Sequence, residues 1–280
     1  MQIGSLVFDA KSKQLGNIHY NCPEIDKVLH RTKPMGSENY EASAYRIMTT
    51  IASNMQAVRT AIAVAASKVG RDPDDVCLLA VSKNFPPDAL RAAYNEGQVC
   101  FAESYVQEAL DKIAALQELV VEWHFIGPIQ SNKTRAIAEN FSWVHSVDRL
   151  KVAERLSGQR PLTLPPLQVC LQVNISKEAS KSGVAAIEAE ELARAISKLP
   201  NLRLRGLMAV PEPSDDVAEQ HDSFAQLRRL YEQMNRHGLN LDTLSMGMSH
   251  DFAAAIAEGA TMVRIGTAIF GERLKNKEQL

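Results

Sequence analysis

The feature that most limits the folds open to this chain is its alternation of short apolar runs with segments of helical spacing. Eight runs, residues 76–82, 99–102, 122–126, 143–146, 167–175, 204–209, 244–246 and 262–265, are each the length of a strand. Between them lie helix-like segments at 87–95, 106–119, 132–139, 150–157, 187–199, 218–237 and 252–258. Strands alternating with helices argue for parallel βαβ units. Eight repeats with no spare block for a second domain predict a single closed (β/α)8 TIM barrel in preference to an open doubly wound sheet. The chain length of 280 residues suits a fold that typically takes about 250.

Upstream of the first run, Ile47, Ile51, Met55, Val58, Ile62, Ala65 and Val69 recur at spacings of four and three, which predicts one long amphipathic helix ended by Gly70. Residues 1–40 mix Gly, Pro, Asn and Lys without periodicity. They are expected to be a poorly ordered, dispensable extension, with the barrel occupying 41–280.

A net charge of −2 gives no electrostatic reason to expect nucleic acid or an anionic membrane as partner. No run approaches the roughly 18–20 apolar residues of a membrane span, and the N-terminus lacks the pattern of a secretory signal. Cys22, Cys77, Cys100 and Cys170 are far apart in sequence and form no C-x-x-C pair, which disfavours a zinc site and fits a reduced, cytoplasmic protein. The histidines likewise show no metal-ligand spacing, so no metal is expected.

In such barrels chemistry gathers at the C-terminal ends of the strands. Lys83 ends the apolar run 78–82, where desolvation favours the neutral amine that a Schiff-base lysine requires. From this position alone, a lysine snorkelling from a strand end is the stronger reading. Arg264, Ile265, Gly266 and Thr267 close the eighth run, and a glycine beside a hydroxyl at a helix start suits a phosphate. A tight turn at Gly266 and an N-cap at Thr267 explain either residue alone but not their pairing with Arg264. The segment from Ser245 to Ser249 after the seventh run suits an oxyanion too; Ser249 as a simple N-cap stands equally open. His124 reads as a hydrogen-bonded core histidine at least as well as a pocket residue. Lys181 is the one rival for a reactive lysine.

These segments, together with Leu79-Ala80-Val81-Ser82-Lys83, Phe101-Ala102-Glu103-Ser104-Tyr105 and His124-Phe125-Ile126-Gly127-Pro128, closely resemble the pyridoxal phosphate homeostasis protein family, also called the YggS or proline synthetase co-transcribed family. Ser180-Lys181-Ser182-Gly183, Arg205-Gly206-Leu207-Met208 and the run 244–249 belong to the same resemblance, which spans about residues 47–272. It implies a barrel like the alanine racemase N-terminal domain. Pyridoxal 5'-phosphate (PLP) is then held as a Schiff base on Lys83, with Arg264 facing the pyridine nitrogen and phosphate contacts from Ser245 to Ser249 and from Gly266 and Thr267. Ala102 and Ser104 depart from the family's usual Gly and Asn, which puts the contact made by that Asn and the backbone freedom of that Gly in question.

An arginine at the ring nitrogen makes PLP a weak electron sink. The first expectation is therefore a PLP-binding protein without turnover that buffers or delivers cofactor, with apo PLP-dependent enzymes as partners. The alternatives are a PLP-dependent amino-acid racemase and an interaction module with a structural cofactor.

Overall fold

Strand β1 (Cys77–Val81) is flanked by β2 (Cys100–Glu103) and β9 (Met262–Ile265), and every strand pairing in the sheet is parallel. The computed structural model describes residues 38–176 and 182–272. From β2 the sheet continues through β3 (Glu122–Phe125) and β4 (Trp143–Val147); from β9 it continues through β8 (Thr243–Ser245) and β7 (Leu202–Met208) to β5 (Leu167–Asn174). Pairing of β4 with β5 closes the circle of eight strands. The expected barrel is thus present, each run forming a strand within a few residues of its expected bounds. One addition escaped the sequence reading: β6 (Val184–Ala185) is a two-residue strand laid on the end of β5.

The connecting helices are α2 (Pro87–Asn95), α3 (Val106–Ala115), α4 (Thr134–Asn140), α5 (Leu150–Gln159), α6 (Ala186–Ile196), α7 (Val217–Arg236) and α8 (Phe252–Ala257), with a single turn α9 (Thr267–Phe270) after the last strand. In α2, Pro87 at the first position is preset for helical φ, and Ala89, Leu90, Ala92 and Ala93 form the stripe buried on the sheet. Helix α1 (Glu38–Lys68) buries Ile51, Met55, Val58 and Ile62 at the predicted spacing. The chain divides into two units, Met1–Ser43 and Ala44–Leu280, and among the described residues the strands all lie in the second. Residues 1–37 of the expected extension, and Lys181, lie outside the described residues. No helix among the described residues is long and apolar enough to cross a membrane.

Phe101, Phe125, Val144 and Val169 are buried in the main apolar core with the helix stripes. Inside the barrel Trp143, Cys170 and Met208 make a separate small apolar cluster, and the rest of the interior is markedly polar. The proof is a contact between His145 on β4 and Ser245 on β8, 2.9 Å apart. These strands are not neighbours in the sheet, so the bond must cross the interior.

Candidate functional site

The C-terminal ends of β1, β8 and β9 surround a cavity of about 290 Å³. Its walls include Lys83, Ser104, Met208, Ser249, Arg264, Gly266 and Thr267, with Phe85 and Ile126 as apolar sides. The volume stands at the small end of the range for small-molecule pockets, about 300–1,000 Å³. Of the residues singled out from sequence, Lys83, Ser249, Arg264, Gly266 and Thr267 meet here. Ser245 does not line the cavity; it is fully buried beneath it. Gly266 brings the backbone against β1, where an added Cβ would stand 3.1 Å from the Val81 carbonyl oxygen. Gly247 has φ +94°, and a Cβ there would meet that of Ala255 at 2.6 Å, so only glycine lets this loop pack on α8.

The turn that presents Lys83 is held from below. Lys112 of α3 is buried, and its ammonium donates to the Ser82 carbonyl at 2.7 Å, to Glu103 Oε1 at 2.7 Å and to Glu108 Oε1 at 2.6 Å. Ser82 Oγ donates to the same Glu103 oxygen at 2.6 Å, and Glu108 Oε1 accepts from the Asn84 amide at 2.5 Å. Asn84 has φ +66°, a left-handed conformation that asparagine tolerates. Both neighbours of Lys83 are therefore pinned by one buried cation and its two carboxylates. Burial raises the Glu103 pKa against the opposing pull of Lys112, and its Oε2 has no hydrogen-bond partner.

Arg264 is buried as well. Its Nη1 donates to the Ser245 carbonyl at 2.6 Å and to Ser245 Oγ at 2.9 Å, and its Nη2 donates to the Ala209 carbonyl at 2.9 Å. Burial pushes its pKa down to about 10, so it remains a cation at neutral pH. Below it runs a chain of hydrogen bonds: Ser245 Oγ to His145 Nδ1 at 2.9 Å, His145 Nε2 to His124 Nδ1 at 2.9 Å, and His124 Nε2 to Glu122 Oε1 at 2.9 Å. With both rings neutral, the ends fix its direction. Glu122 accepts from His124 Nε2–H, so His124 Nδ1 must accept from His145 Nε2–H, and His145 Nδ1 must accept the Ser245 hydroxyl proton. His145 is held well below the usual histidine range by burial and by the charges of His124 and Arg264. Burial alone would lower His124 too, but its bonds to Cys100 and Glu122 more than offset that and raise it.

Sequence reasoning left His124 open between core and pocket, and the structure buries it in the core; His145 and Lys112 were overlooked. The signal for His145 was available: residues 122 and 124, like 143 and 145, alternate along their strands and so share the inner face. Ala102 occupies regular strand between β1 and β3, with no need of glycine's freedom, and Ser104 lines the cavity where the family's Asn would stand.

Comparison with known proteins agrees with this fold. The family described as "Alanine racemase, N-terminal domain" matches residues 53–274. The Pyridoxal phosphate homeostasis protein of Pseudomonas aeruginosa is 62% identical over 226 residues, covering 81% of this chain and 97% of the relative. Its namesake in Escherichia coli K12 is 52% identical over 234 residues, covering 82% and 100% respectively. Among solved structures, PipY of Synechococcus elongatus with PLP bound superposes with a TM-score of 0.69 at 37% identity, over 79% of this chain and 100% of PipY.

Proposed function

This chain belongs to the pyridoxal phosphate homeostasis protein family, and on that premise we propose that it binds PLP on Lys83 and keeps it available to other proteins without turning over a substrate. The observation that carries the reading is the convergence of Lys83, Ser249, Arg264 and Thr267 on one cavity from the ends of β1, β8 and β9. A Schiff base with the Lys83 amine supplies reversible covalent retention. Ser249, with Gly266 and Thr267 opening α9, offers hydroxyl and backbone donors to the phosphate.

Arg264 spends three of its N–H groups on Ser245 and Ala209, which leaves two of its five for the ring nitrogen. A guanidinium so placed keeps that nitrogen unprotonated, which favours storage over carbanion chemistry. Ser245 acts through Arg264, orienting it from beneath. Apo PLP-dependent enzymes are the partners this role implies. The cytoplasm is the compartment that suits free thiols such as Cys77, Cys100 and Cys170.

The test is to load the purified protein with PLP, reduce it with borohydride and locate the adduct by mass spectrometry. One adduct on Lys83, lost in Lys83→Ala, is expected; an adduct on Lys181 instead refutes the assignment. Loaded protein should also activate an apo-enzyme that lacks PLP. Steady racemisation of an enantiopure amino acid would refute the storage role.

A further inference from the structure

We propose that the N-terminal floor of the barrel is a binding site for a thiophilic divalent cation of the zinc class, with Cys100 Sγ, Glu122 Oε1 and His124 Nε2 as ligands. These three atoms come from β2 and β3 and all lie within 4.8 Å of one another. A tetrahedral zinc ion with bonds of about 2.3 Å to sulfur and about 2.0 Å to nitrogen and oxygen needs S···O near 3.5 Å and N···O near 3.3 Å. The observed separations are 3.7 Å for Cys100 Sγ to Glu122 Oε1 and 2.9 Å for His124 Nε2 to Glu122 Oε1. Both separations to Glu122 are within a few tenths of an ångström of those an ion requires, and Cys100 Sγ and His124 Nε2 lie within 4.8 Å of each other.

A second, independent feature supports the site. Metal-bound histidines are oriented by a partner on the other ring nitrogen, and His124 Nδ1 is already held by His145 at 2.9 Å. The ligands also balance charge, since one thiolate and one carboxylate neutralise a divalent ion. Among the described residues, the one ion pair of Glu122 is with His124, so a cation there displaces no lysine or arginine. The Glu122 side chain is 45% exposed and the Cys100 thiol half-buried, which leaves a path from solvent and room for a water as fourth ligand. Linear spacing concealed the site because Cys100 joins Glu122 and His124 only across the β2–β3 pairing.

Binding has a definite proton balance. Cys100 releases its proton to solvent as its thiolate takes up the ion. His124 moves its single proton from Nε2 to Nδ1 and donates to His145. His145 then carries its proton on Nδ1 and donates to Ser245 Oγ, whose own hydroxyl proton must turn away from the ring. An ion at the floor therefore reverses the chain as far as Ser245, while Arg264 remains a donor to it.

The experiment uses reduced, metal-free, full-length protein. Zinc is titrated against a chromophoric chelator, and cobalt(II) serves as the spectroscopic probe. One equivalent of each metal is expected, with a thiolate-to-cobalt charge-transfer band and tetrahedral visible bands. Cys100→Ser should lose the charge-transfer band. Glu122→Gln, whose amide oxygen can still accept from His124, should keep the band and weaken zinc by about tenfold or more. Cys22→Ala should change nothing. Absence of stoichiometric binding overturns the proposal, as does a cobalt spectrum without the thiolate band, zinc affinity unchanged in Glu122→Gln, or loss of binding in Cys22→Ala.

Discussion

Replacing Lys112 by methionine keeps the length and apolar stem of the side chain while removing its charge. In the native protein that ammonium makes three hydrogen bonds with a side chain only 4% exposed, and its main partner, Glu103, is 0% exposed. Removing one member of a buried ion pair costs about 3–5 kcal/mol, because the other charge is left uncompensated. The lower end applies here, since Glu108 is 27% exposed and can rehydrate, and Ser82 Oγ still donates to Glu103. A loss of about 3 kcal/mol lowers the melting temperature of a domain this size by about 6–12 °C.

The penalty must depend on pH, with a sign set by Glu103. Its folded pKa is already raised above 4.5 by burial, and without Lys112 it rises further. A group with a raised folded pKa contributes stability below its unfolded pKa and loses it as pH rises through the folded value. The deficit of Lys112→Met is therefore greatest at neutral pH and shrinks toward pH 4.5. Urea denaturation of both proteins across that range measures it, and Lys112→Met combined with Glu103→Gln should recover most of the loss. A deficit under about 1 kcal/mol, or one equal at both ends of the range, would refute the view of this pair as a buried, coupled unit.

Four further outcomes are expected. Thr267→Val should weaken PLP more than pyridoxal, measured by fluorescence titration, because only the phosphate loses a charge-assisted bond. His145→Phe preserves the ring but strands His124 and Ser245, and should cost about 1–3 kcal/mol in a denaturant melt. Arg264→Glu sets an anion against the Ser245 and Ala209 carbonyls, and should lower the melting temperature as well as PLP retention. A chain beginning at Ser37 should fold and bind PLP like the full chain, as checked by circular dichroism and titration; loss of either would show that the preceding residues belong to the barrel.

The barrel was legible because helices cover its outer face and eight apolar runs repeat at regular intervals. Lys83 and Thr267 were legible for a related reason, as each stands two positions past the last residue of a strand, and strand ends were the places to look. The interior was not. His124, His145 and Ser245 sit among apolar neighbours and draw together only when β3, β4 and β8 curl round to face one another. Lys112 gave no signal because its carboxylate partner, Glu103, lies on a different element, at the end of the strand before its helix. For Arg264, the resemblance implied a residue facing the pyridine nitrogen. Its bonds to two backbone carbonyls make it part of the barrel's framework too.

The chain from Glu122 to Arg264 also constrains how this barrel can change over evolutionary time. Each inner member gives one proton and receives one, so a single replacement orphans the residues on both sides of it. Substitutions at positions 124, 145 and 245 should therefore be tolerated in concert and purged singly. Homologous sequences should show them drifting as a linked set.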